Sequence, residues 1–433
     1  MATETVRDSR LRSRPRWLPI LLASGIAGLS MYVAWRTTSL DGLPDVGDPF
    51  DVAAFADRKV ADADNAYVLY KEAVTLLTQQ YPESTYDWPK ADDATRRWLE
   101  ENRPAMEVWR RGTERPEAQY VPPRSMKLDT LLPVVQELRK FPRLAQLEGS
   151  RLESEGDMEG AWRWHRAIFR SSRHVGRRGM WIERLVGISF HSIAVRQLSK
   201  WAADPRVDAA LLRKALDAAI ADDSLTSLTS DHWKVEYISF ANSENDSTLM
   251  VKCLIDEDLV AAARPSPIGK IPYAFQLQRV LLKEPERSRR VLRLILANVL
   301  NWADLPSKDR PPIAVSVPNS VMGARVKTLF DLREVGASAP SAARALPPEE
   351  LASWFQSSLY ARHLLPSINS LDAAIARERS AQAQLLLTLA NQLFAREHGH
   401  PPETLEELVG PYLIELPEGL PSTGDTPEPR AQP

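Results

Sequence analysis

The sequence predicts an all-α protein, with an N-terminal transmembrane helix followed by an array of helical hairpins with Pro-rich loops. Three observations carry this expectation. Residues 17–35, WLPILLASGIAGLSMYVAW, run for 19 residues without a charge. Beyond them apolar residues recur at helical spacing, and strand-like alternation is almost absent. Proline-rich interruptions at 264–272, 305–318 and 336–348 then punctuate the later half of the chain.

The apolar stretch comes first. At ~1.5 Å per helical residue it reaches about 28 Å, close to a hydrocarbon core of roughly 30 Å. Arg7, Arg10, Arg12, Arg14 and Arg16 precede it, whereas Asp41, Asp45, Asp48 and Asp51 follow. The positive-inside bias places residues 1–16 as a cytoplasmic basic tail, 17–35 as a single span, and the bulk of the chain outside. A cleaved signal peptide would need a shorter apolar run and a small-residue site, and Tyr32, Trp35 and Arg36 stand where that site would be. Trp17 and Trp35 bracket the stretch as interfacial aromatics do. Ser24 and Gly28 form one small-xxx-small pair, a helix-packing face.

A turn-rich linker, 36–63, leads into a helical domain, 64–263. Asp64 or Asn65 suits the N-cap of a helix with Tyr67, Tyr70, Val74 and Leu77 on one face. A second helix, 92–111, breaks near Pro104. Segments 128–154 and 157–178 read as a hairpin around Glu155-Gly156-Asp157, and 180–201 extends the array. Helix 207–221 follows the Asp204-Pro205 stop, and 225–263 continues the pattern. Residues 264–348 hold helices with Pro-rich loops, including one at 288–302. Within them 311–317, PPIAVSV, is strand-like but has no evident strand to pair with. A long helix and a short helix occupy 349–415, and 416–433 is too poor in apolar residues to fold alone.

The chain has 55 Lys and Arg against 57 Asp and Glu, a net charge of −2. The first 36 residues carry six arginines against Glu4 and Asp8, a local +4, which leaves −6 for the rest. That balance argues against nucleic-acid binding by the exterior part. Cys253 stands alone, so no internal disulfide can form and stability must come from packing.

The most distinctive cluster is Arg163, Arg166, Arg170, Arg173 and Arg177, spaced alternately by three and four residues on one helical face. Such a ladder is a candidate anion-binding strip for headgroups or an acidic partner. It would equally pair with the acids just upstream (Glu148, Glu153, Glu155, Asp157, Glu159) or stand in solvent. Reversing Arg166, Arg170 and Arg173 to Glu is then expected to leave helicity intact. His232 and Glu236 lie four apart, a zinc-compatible spacing, but without a third ligand they read as a solvated helix pair. His398 and His400 flank Gly399, which suits a helix C-cap. Gly187-Ile-Ser189-Phe-His191 lacks the second glycine of a nucleophile elbow and sits in a helical pattern. No phosphate-cradling Gly-rich loop or Walker lysine is present, so neither cofactor nor metal is expected, and no catalytic residue stands out.

The Gly156-Asp157 turn leading to Ala161 resembles the turn of a tetratricopeptide repeat, which implies a peptide-binding solenoid, although no copy stands about 34 residues away. Near the C-terminus, Glu397, Gly399 and Pro402, then Thr404, Leu405 and Leu408, then Tyr412, Leu413 and Pro417 resemble a segment of membrane-anchored proteins of planctomycete-type bacteria. More distantly they are similar to the region after the helix in type II secretion pseudopilins. Asn65, Ala66, Tyr70 and Ala73 similarly match a helix that follows the anchor in those planctomycete proteins. The resemblance implies a helical bacterial envelope protein of the inner membrane. The glycine, aromatic and glutamate of a prepilin-peptidase site are not seen before the apolar stretch.

These readings favour a membrane-anchored binding or scaffolding module with a protein partner. Two alternatives stay open beside the repeat scaffold: an envelope enzyme whose site is assembled from distant residues, and a secretion component. A deep pocket lined by two or more carboxylates or histidines would favour the enzyme.

Overall fold

The computed structural model describes residues 18–38, 40–41, 43, 45–78, 86–244, 246, 283–300, 303–305, 316–318, 325–327 and 368–417. Residues 418–433 of the expected disordered tail, the loops at 264–272 and 336–348, and Cys253 lie outside the described residues. What is described is helical, apart from a short ribbon. The run ending at 317 does find a partner there: Ser316–Pro318 (β1) pairs antiparallel with Arg325–Lys327 (β2), Val317 opposite Val326.

The apolar stretch forms α1, Leu18–Thr38, 21 residues long. Among the described residues, no helix is long and apolar enough to cross a membrane. After the short α2 (Val52–Ala56) comes α3 (Ala66–Thr75), whose N-cap is Asn65, its side chain accepting from the Tyr67 N–H at 3.1 Å. The same amide clasps Gln119, with both bonds at 3.0 Å. Helices α4 (Asp93–Glu101) and α5 (Arg103–Thr113) break at Asn102, where Pro104 starts the second helix. Asn102 is fully buried and holds Thr78 and the Trp98 carbonyl with its side-chain amide.

The expected hairpin is α7 (Lys140–Glu155) and α8 (Met158–His174), after the short α6 (Pro133–Leu138). Gly156 turns it at φ +88°, and Asp157 caps α8 through the Gly160 N–H at 2.8 Å. Helix α9 (Trp181–Ala202) lies along α8, and α10 (Ala209–Asp223), capped by Asp208, and α11 (Thr229–Ser243) follow. Gly187 lets α9 approach closely: a Cβ there would sit 2.5 Å from the Val175 carbonyl oxygen and 2.7 Å from that of Ser172. Both obstacles are backbone and cannot swing aside. Gly187→Ala should therefore cost about 2 kcal/mol or more, read as a lowered urea midpoint with unchanged slope.

Two main apolar clusters form the interior, beside a minor one of Met126, Met180 and Val235. The larger gathers Tyr67, Trp98, Trp109, Phe141, Ile168, Phe190 and Trp201; the smaller gathers Trp233, Phe240, Leu294 and Ile295 with Leu40 and Leu43. Helix α13 (Ile368–His398) belongs to both, with Leu371 and Ile375 in the smaller and Leu385, Leu389 and Leu393 in the larger. At its end Gly399 adopts φ +79°, and Thr404 with Glu407 boxes the turn Leu405–Leu408. Tyr412 then returns its hydroxyl to Glu397 at 2.5 Å.

The stretch after α1 is held against the body. Helix α12 (Glu284–Val299) grips it with one side: Glu284 pairs with Arg36 at 3.1 Å, and Arg287 donates to the Arg36 carbonyl. Arg290 reaches the Leu43 carbonyl at 2.9 Å, and Arg293 bridges Asp45 and Asp48, both at 2.8 Å. Leu40 and Leu43 are buried beneath these contacts.

Candidate functional site

Where α13 passes from one cluster to the other, its core-facing stripe turns polar. Leu371, Ile375, Leu385 and Leu389 continue at steps of three and four through Glu378 and Gln382, and all six are buried. A buried carboxylate must be paired. Arg173 of α8 donates to one Glu378 oxygen and Arg184 of α9 to the other, each arginine side chain at most 6 % exposed. Burial alone would raise this carboxyl, but the guanidiniums of Arg184 and Arg173 outweigh it and hold it down to about 2. Arg173 also takes Asp223 at the end of α10, at 2.7 Å.

Beside this pair lies a cavity of about 250 Å³, bordered by α9, α10, α11 and α13. One wall is apolar, with Trp181, Ile375, Ala383 and Leu386; the rest is polar, with Arg379, Gln382, Ser227 and His232. Trp181 packs on His232, with ring centroids 4.8 Å apart. The His232 Nδ1 lies 3.0 Å from the Gly179 carbonyl, so Nδ1 carries the proton and Nε2 offers a lone pair. Burial, then the nearby Arg184 charge, pushes His232 down to about 4, which keeps it neutral at pH 7. Gln382 accepts from His191 Nε2 at 3.0 Å and from Arg173 at 3.4 Å. Five buried polar atoms of the lining have no partner among the described residues: Arg173 Nε, Trp181 Nε1, Ser227 Oγ, His232 Nε2 and Gln382 Nε2.

The arginine ladder of α8 splits. Arg163 is exposed and pairs with Glu159 at 3.2 Å. Arg166 takes Asp222 with two bonds, at 2.8 and 3.1 Å, and Arg170 holds the same carboxylate together with the Thr113 carbonyl. Arg173 enters the cavity wall, while Arg177 donates to the Pro116 carbonyl at 2.6 Å and pairs with Glu117. The counter-charges come mainly from α10, α13 and Glu117. Of the upstream acids only Glu159 serves, since Glu148 and Glu155 hold Arg151, Glu153 faces His165, and Asp157 caps α8. Intact helicity on reversing Arg166, Arg170 and Arg173 is thus corrected: the triple reversal would set buried carboxylates against Asp222, Asp223 and Glu378. It should abolish cooperative folding by circular dichroism, while Arg163→Glu leaves the spectrum unchanged.

His232 and Glu236 are not a solvated pair. His232 is buried in the cavity wall, and Glu236 accepts the Trp181 N–H at 3.0 Å with its carboxyl raised by desolvation. Among the described residues no group of three or more His, Cys, Asp or Glu could hold a metal ion. His398 and His400 flank the Phe394 ring in the C-terminal turn. Gly187, Ser189 and His191 lie within α9, with His191 turned to Gln382. Glu378, Gln382, Arg379 and Trp181 were not singled out by the sequence reading. The legible signal was two polar residues on an otherwise apolar stripe.

No protein-family model, no curated protein and no solved structure matches this chain.

Proposed function

We propose that this chain is a membrane-anchored binding protein of a bacterial envelope, with α1 in the bilayer, residues 1–16 on the cytoplasmic side and the helical body outside as a binding or scaffolding module. The observation that carries the reading is the surface of α1. Leu21, Ile26, Leu29, Met31 and Trp35 are each 60–72 % exposed, on several sides of a helix about 31 Å long. No described helix meets the length and apolarity of a full span, yet an apolar surface left bare all round is costly in water, at roughly 25 cal/mol per Å², and burial in lipid removes that cost. The basic residues before it and the aspartates after it support the orientation.

The cavity bears on the choice between binding and catalysis. Two carboxylates and a histidine line it, the composition an acid–base enzyme needs. Their environment weakens that chemistry: Glu378 is locked between two arginines, Asp223 is paired with Arg173, and His232, held down to about 4 by burial and then by Arg184, is a poor base. What is left are fixed donors and acceptors beside an apolar wall, which suits binding.

Alkaline carbonate extraction of envelopes carrying the full chain, with protease digestion of intact spheroplasts, tests the anchor. Retention in the pellet and digestion of the body from outside are expected; release by carbonate, or protection of the body, would overturn the reading.

A further inference from the structure

We propose that the cavity between α9, α10, α11 and α13 is a site for a small organic carboxylate that carries a hydroxyl on a short apolar body. This deepens the reading of the body as a binding module and rests on it.

Each part of the ligand follows from one part of the lining. Among the described residues Arg379 is the one lining arginine without a carboxylate partner, because Glu378 and Asp223 are already taken by Arg173 and Arg184. A carboxylate completes that charge, and the unused N–H of Gln382 and hydroxyl of Ser227 supply further donors to its oxygens. Unpartnered buried donors are costly, so a site that leaves them open is matched by an acceptor from elsewhere. His232 asks for the opposite. Its Nε2 is a buried acceptor, fixed in that tautomer by the Gly179 carbonyl, and a ligand hydroxyl donates to it. Trp181, Ile375, Ala383 and Leu386 then cover the hydrocarbon part. The space of about 250 Å³ equals on the order of eight water volumes at ~30 Å³ each, which admits a hydroxy acid with one small ring. A bare inorganic anion would leave the apolar wall unmatched.

The test uses mandelate as the probe and isothermal titration of the full chain in detergent. Phenylacetate lacks the hydroxyl, benzyl alcohol lacks the carboxylate, and inorganic phosphate lacks the apolar body. Mandelate should bind saturably, phenylacetate more weakly, and the other two not at all. Arg379→Gln, at a half-exposed position, should weaken mandelate by roughly tenfold to a hundredfold, as expected for losing a charged hydrogen bond. Ser227→Ala, a gentler change, should weaken it to a lesser degree. Phosphate competing with mandelate would replace the proposal with a simple anion site. Failure of every probe to saturate at millimolar concentration, or undiminished binding by both variants, would overturn it. Carbonate extraction is read on the envelopes from which each protein is then solubilised, so loss of the ligand site and loss of the anchored reading show separately.

Discussion

Acidification from about pH 7 to about pH 4 should strip the folded body of stability well before most carboxylates protonate. His174 and His191 are held down to about 3 and His232 to about 4, in each case first by burial and then by neighbouring guanidiniums. All three are neutral in the folded protein, whereas the unfolded chain takes up protons near pH 6.5. Below 6.5 the unfolded state binds more protons, so this contribution is complete above 6.5 and is lost as pH falls toward 4. Each net proton is worth about 1.4 kcal/mol per pH unit. Glu183, pushed up to about 7 by burial, works in the opposite sense, since it keeps its proton in the folded state while the unfolded chain has lost it down to the ordinary carboxylate range. Glu236 and Glu244, also raised by burial, temper the slope in the same direction. Three histidines pushed this far still leave a falling curve. Urea midpoints across the range should drop as pH falls, and replacing His174 and His191 by Gln should flatten the drop. A midpoint that holds constant down to pH 4 would remove the argument.

Glu378→Leu should cost about 3–5 kcal/mol, because it leaves Arg173 and Arg184 buried without their shared counter-charge. The more telling comparison is the triple replacement by Glu378→Leu, Arg173→Met and Arg184→Met. Apolar residues of similar volume remove the desolvation penalty along with the attraction, so the triple variant should recover most of the loss. A triple variant as unstable as the single one would mean that the polar group organises the surrounding helices, including Gln382 and Asp223, and does more than balance charge. Chemical denaturation of all three proteins under one set of conditions decides between them.

Much of the architecture was legible because helix signals are local. Asn65, Asp92, Asp157 and Asp208 each cap the helix that follows, and Gly156 and Gly399 take the positive φ their positions suggested. Pairing across sequence distance was not legible. The arginines of α8 announced their face through spacing, but their carboxylates lie about 50 residues away on α10 and about 200 away on α13. No periodicity encodes which helix covers which face. His232 was misread for the same reason: its spacing to Glu236 is local, while its burial depends on Gly179 and Trp181. The cavity itself left a trace, since Glu378 and Gln382 interrupt the apolar stripe of α13. A charge on a core face signals a buried partner, though it does not say whose.

The grip of α12 on the segment after α1 makes the junction a coupling shaft in place of a tether. Arg36 is held at side chain and carbonyl by Glu284 and Arg287, Leu43 by Arg290, and Asp45 and Asp48 together by Arg293, at successive turns of α12. The end of α1 therefore has a fixed bearing relative to the body. Inserting one alanine into α1 turns everything on its N-terminal side by about 100° with respect to the body, since an α-helix has 3.6 residues per turn. Twisting the shaft would swing the body with it, and a body loaded against a partner would resist the twist.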